Sequence, residues 1–129
     1  MRAQVSLEFL ILLAAFVAFL TIWVPLVFGV RQAGEDALSR EYAKLALADI
    51  KNAADEVCIL GKNNAREIEL NLRGKWKMSV EGSEIRIDNG ATSFTEKTKC
   101  AMERDEFELD GRETVVIKND GEFVSVELA

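Results

Sequence analysis

Three residues carry most of the chemical interest in this chain: Glu8, Cys58 and Cys100. Glu8 is a carboxylate set immediately before an uncharged apolar run, where a charge beside lipid is costly and by default marks a functional position whose partner has to be found. Arg2, the only nearby cation, is six residues away and on a different helical face, so a partner from another copy of the chain is the attractive reading. On position alone, Glu8 can also simply reach water at a membrane interface. Cys58 and Cys100 are the only cysteines, 42 positions apart, without the C-x-x-C spacing of a zinc or redox motif. A structural disulfide is their simplest reading, contributing about 3–4 kcal/mol for a loop of that length; two separately buried thiols are the alternative. The chain has no His, its acidic residues are scattered, and no Ser, Thr or Lys lies in a nucleophile motif. The expectation is therefore no catalytic residues, no metal and no cofactor.

The element that must position Glu8 is the run behind it. From Phe9 to Val30 the sequence reads FLILLAAFVAFLTIWVPLVFGV, in which only Thr21, Pro25 and Gly29 interrupt the apolar side chains. Such a run makes roughly 33 Å of helix, against a bilayer hydrocarbon core of about 30 Å. It is longer than the hydrophobic region of a secretory signal peptide and ends without an A-x-A cleavage pattern, so it is expected to stay in the mature protein. Arg2 favours a cytoplasmic N-terminus, with Arg31 pulling the other way. Every charged residue except Arg2 and Glu8 lies from Arg31 onward, so the whole net charge of −6 belongs to the rest of the chain. That acidity argues against nucleic acid as a partner.

After Arg31 the apolar residues become one-sided. Ala43, Leu47, Ile50, Ala54 and Val57 recur every three or four positions, a helical stripe in an Ala-rich segment. The pairs Asp36/Arg40 and Lys51/Asp55, four apart, suit an exposed helix face. One helix is expected from Gln4 to about Val57, with a bend near Pro25 and Gly29. From Cys58 the period becomes two: Ile68, Leu70, Leu72; Trp76, Met78, Val80; Ile85, Ile87; Phe107, Leu109; Val115, Ile117; Val124, Val126, Leu128. Turn residues separate these runs at Arg73-Gly74, Glu81-Gly82, Asn89-Gly90, Asp110-Gly111 and Asn119-Asp120-Gly121, which predicts an antiparallel meander of strands five to eight residues long. The stretch Ala91 to Asp105 reads as a loop or irregular edge strand tethered by the disulfide. The dry sheet face is expected to pack on the stripe Leu47, Ile50, Ala54 and Val57, giving an α+β fold: a long apolar helix continuing into an antiparallel head.

Gln4-Val5-Ser6-Leu7-Glu8-Phe9, followed by a long apolar run, matches a Q-x-S-x-E-F signature at Gln4, Ser6, Glu8 and Phe9. In this the chain resembles archaeal type IV pilin precursors, which carry a class III signal peptide. The resemblance covers Arg2 to about Val30. It implies a leader of residues 1–3 removed by a membrane-embedded prepilin peptidase between Ala3 and Gln4, with Ala3 standing where the family often has Gly. It further implies a filament-core helix over 4–30; the periodicities above add an amphipathic extension over 31–57 and a β head over 58–129, which is compatible with such pilins without being diagnostic of them. A helical homopolymer on the cell surface, serving adhesion, would then pack through Glu8, Phe9, Leu12, Phe16, Phe19, Leu20 and Pro25, and would be built by an assembly ATPase and a membrane platform protein. The α-amino group freed at Gln4 could pair with Glu8 of a neighbouring subunit and set the stagger between them. The competing readings are a minor pilin or pseudopilin that primes assembly, and a monomeric membrane-anchored binding domain for which Glu8 has no special purpose.

Overall fold

The computed structural model of the chain describes residues 2–129; Met1, the first residue of the expected leader, lies outside them. The fold is α+β, with one helix, α1 (Arg2–Leu60), followed by β1 (Ala65–Asp88), β2 (Ser93–Asn119) and β3 (Val124–Leu128) in a sheet of order β1-β2-β3. The chain divides after Ala37 into two compact units, one holding the apolar part of α1 and one holding the rest of α1 with the sheet.

Within the second unit, the helical stripe and the sheet bury each other. Ala43, Leu47, Ile50, Ala54 and Val57 join Trp76, Met78, Ile85, Ile87, Leu109, Val115, Ile117, Val124 and Val126 in one apolar core. Burying the Val, Leu, Ile and Met side chains among these stabilises by about 1.5–3 kcal/mol each relative to exposure. The helix ends where Gly61 takes a left-handed φ of 89°. Its N–H donates to the Val57 carbonyl at 3.2 Å, and the Asn119 amide donates to the same carbonyl at 3.1 Å. Gly at that position satisfies the last carbonyls without steric cost, and Asn119 couples the helix end to the end of β2.

The sheet corrects the expected meander. Instead of many strands of five to eight residues, β1 and β2 run for 24 and 27 residues as one long antiparallel hairpin. Asn89-Gly90 and Asn119-Asp120-Gly121 are turns between strands, as read from the sequence. Arg73-Gly74, Glu81-Gly82 and Asp110-Gly111 lie inside strands, and the register shifts at the first two: Asn71 pairs with Arg112 and then Lys75 with Asp110, while Val80, Gly82 and Glu84 pair with Asp105, Met102 and Lys97. Gly74 and Gly111 have φ of 81° and 68°, a conformation that serves a bulge as well as a hairpin turn. Ser93 to Asp105, expected as a loop or irregular edge strand, belongs to the continuous strand β2. Val115 pairs with Leu128, Ile117 with Val126 and Asn119 with Val124, so the partners run in opposite directions and β2 and β3 form a second antiparallel hairpin. Val124 also pairs with Met102, an isolated contact that draws β3 toward the bulged part of β2.

Candidate functional site

The first unit is one continuous helical surface. Every described residue up to Ala37 is exposed, and the helix is long and apolar enough to cross a membrane. Phe9, Leu12 and Phe16 are 64%, 69% and 58% exposed, and Phe19 and Leu20 continue the same stripe. At about 100° per residue these five fall on one face, Glu8 borders it, and Pro25 lies on the opposite side. Ala3, Gln4 and Ser6 are helical and exposed one to two turns before the run. A helix this apolar on all sides needs lipid or other helices around it.

Polar groups in this unit are few. Glu8 has no hydrogen-bond or ion-pair partner among the described residues. Between Phe9 and Val30 the only side chains with a hydrogen-bond donor are Thr21 and Trp23. The Thr21 hydroxyl donates to the Ala18 carbonyl at 2.7 Å. Trp23 lies against Phe19, one turn toward the N-terminus, with ring centroids 5.5 Å apart. Pro25 has no N–H, so the Thr21 carbonyl lacks its usual donor four residues on.

In the head, two side chains one helical turn apart hold the bulged segment of β2. Asp55 is only 8% exposed; its Oδ1 accepts the Lys99 backbone N–H at 2.8 Å and its Oδ2 accepts the Lys51 ammonium at 3.1 Å. Three residues later Cys58 forms a disulfide with Cys100, with Cα atoms 6.0 Å apart. Burial pushes the Asp55 carboxyl pKa up, but the Lys99 N–H and the Lys51 ammonium outweigh it and hold the group below its ordinary 3.8. The pair Lys51/Asp55 is thus not an ornament of an exposed helix face: its acid reaches into the sheet. Sequence reasoning assigned Asp55 no role beyond that pair, because its partner is a backbone N–H in a segment without periodicity.

The opposite end of the head's helix is fixed by the Arg73 carbonyl, which accepts the Ser39 hydroxyl at 2.8 Å and the Trp76 indole at 3.0 Å. Arg73 lies over the Tyr42 ring and Lys44 over the Phe94 ring, each at 5.4 Å. The Ser39 and Tyr42 contacts with Arg73 hold β1 against the helix at the bulge that Gly74 creates, and the Lys44 contact with Phe94 reaches β2. Among the described residues no cluster of His, Cys, Asp or Glu could hold a metal ion. No protein-family model, curated protein or solved structure matches the chain.

Proposed function

We propose that the chain is the structural subunit of an archaeal type IV pilus-like surface filament serving adhesion, polymerising through the apolar part of α1. The observation that carries this reading is the contrast between the two units. The head buries its own apolar residues in a core, whereas the preceding helix exposes Phe9, Leu12, Phe16, Phe19 and Leu20 beside Glu8, which has no partner among the described residues. A lipid anchor accounts for the apolar surface and leaves Glu8 with interfacial water as its only partner. A bundle of identical helices accounts for both, and the Q-x-S-x-E-F residues Gln4, Ser6, Glu8 and Phe9 supply the processing signal that would free the pairing amine.

In this reading the precursor is inserted with its N-terminus inside and prepilin peptidase cuts between Ala3 and Gln4. The assembly ATPase and platform protein then lift the subunit from the membrane into the filament. The Gln4 amine of one copy meets Glu8 of the next; with no water nearby an unpaired charge at either position would be expensive, so only registers that join them persist. The acidic head faces outward. Co-expression with a prepilin peptidase tests the first step: the chain shortens by its three leader residues, and an N-terminus left intact counts against the filament reading.

A further inference from the structure

Between Phe9 and Val30 one side-chain donor and one backbone acceptor lack partners among the described residues, and they lie on opposite sides of the helix. The acceptor is the Thr21 carbonyl, deprived of its donor by Pro25. The hydroxyl of the same residue is already committed to the Ala18 carbonyl at 2.7 Å. The donor is the Trp23 indole N–H, which bonds no acceptor among the described residues. At about 100° per residue, Trp23 points roughly 180° away from the gap between Thr21 and Pro25, so one helix cannot join its own pair. Hydrocarbon offers neither group a partner, and a backbone group left unsatisfied there is costly.

We infer that in the assembled filament the Trp23 indole of one copy donates to the Thr21 carbonyl of the adjacent copy. This rests on the filament reading above and adds to it a second, uncharged contact between the helices. The occupant is a second copy because Trp23 is the only side-chain donor still uncommitted between Phe9 and Val30. A donor on one face and an acceptor on the opposite face form a heterologous contact, which repeats from copy to copy and does not close on itself as a two-fold contact does.

The axial register agrees. A stagger of about four residues, roughly 6 Å, that brings the Gln4 amine level with a neighbour's Glu8 also places Trp23 about six residues, roughly 9 Å, above that neighbour's Thr21. Helical side chains lean toward the N-terminus, as the Trp23 ring does over Phe19, while carbonyls point toward the C-terminus. Indole and carbonyl therefore approach each other across that interval. Pro25 gains a purpose in this arrangement: it creates the free carbonyl.

The test uses filaments sheared from producing cells whose chain carries ¹⁵N-indole Trp and ¹³C-carbonyl Thr. Solid-state NMR of the filaments should show dipolar transfer from an indole nitrogen to a Thr carbonyl that is absent in the detergent-solubilised monomer and is lost in Trp23→Phe. Trp23→Phe should lower the filament melting temperature in the wild-type background and leave it unchanged in a Pro25→Ala background, where the substituted alanine restores the N–H. Filaments that give no such transfer, or whose loss on Trp23→Phe is the same with and without Pro25, overturn the contact and leave the filament reading standing. A Trp23 that merely anchors the helix at a lipid interface gives that second result. Wild-type cells that make no filaments overturn the filament reading and this contact with it.

Discussion

The Asp55 carboxylate accepts the Lys99 backbone N–H at 2.8 Å across 44 residues of sequence, one helical turn before the residue that forms the disulfide. Helix and sheet are thereby fastened twice at one place, covalently at Cys58–Cys100 and by a buried carboxylate beside it. The bulged part of β2 carries few buried side chains of its own; Met102 is the one residue from Ser93 to Asp105 in the core. The two ties add to the strand pairing and to the packing of Met102, Phe94 and Cys100 that place this segment.

Replacing Asp55 with Ala removes a charge-assisted hydrogen bond and strands the Lys99 N–H, at a cost of about 1.5–3 kcal/mol. The folded-state pKa lies below the ordinary 3.8, so this contribution is complete above 3.8 and is lost as pH falls through the depressed value. Chemical denaturation of the full chain in detergent should show Asp55→Ala well below wild type at neutral pH, with the gap closing in acid. A gap independent of pH would show that the carboxylate's charge is not what matters.

Loss of the disulfide in a Cys58→Ser, Cys100→Ser double variant should cost about 3–4 kcal/mol. The same denaturation assay reads it. Because Asp55 holds the same segment, the triple variant with Asp55→Ala should lose a different amount from the summed separate losses, since contacts this close are coupled. Additive losses would mean the two ties act independently.

Two glycines should respond with opposite signs. A Cβ added to either Gly34 or Gly111 meets nothing within 4 Å, but only Gly111 has a left-handed φ, 68°. Gly111→Ala should destabilise the head by about 1–2 kcal/mol, whereas Gly34→Ala, inside α1, should stabilise the helix by about 0.5–1 kcal/mol. Denaturation midpoints followed by near-UV and far-UV circular dichroism separate the two effects.

Much of this architecture was legible because burial imposes a period. The stripe from Ala43 to Val57 and the uncharged run from Phe9 to Val30 follow from residue type and spacing, and the structure forms the Cys58–Cys100 bond that was the simplest of two readings of the cysteines. The strand count was not, because a positive-φ glycine serves a bulge as readily as a turn. The distinguishing signal was parity: Leu70, Leu72, Trp76, Met78 and Val80 are all buried and all even-numbered, so the strand passes through Gly74 without reversing. Leu109, Val115 and Ile117 keep odd parity through Gly111, whereas at Gly82 parity flips from Val80 to Ile85, marking a bulge that turns the other face inward. Asp55 left no local trace, since no periodicity encodes a bond to a backbone N–H 44 residues away. Trp23 was readable as a residue type, but its meaning depends on the carbonyl that Pro25 frees.

Glu8→Ala should abolish filaments while leaving membrane insertion and the head's fold unchanged, because no described residue depends on its carboxylate. Immunoblots of membrane fractions and circular dichroism of the solubilised protein provide the controls. Filaments made at wild-type level by Glu8→Ala would show that assembly does not use a pairing of Glu8 with Gln4.

Whether the chain is a polymer subunit is read by cryo-electron microscopy of material sheared from cells producing it with its peptidase and assembly machinery. A polymer subunit gives helical fibres whose core is a bundle of the helices running from Gln4 to Val30, with the β heads outside. Cell surfaces without fibres, carrying the mature protein only as single copies in the membrane, would contradict that role.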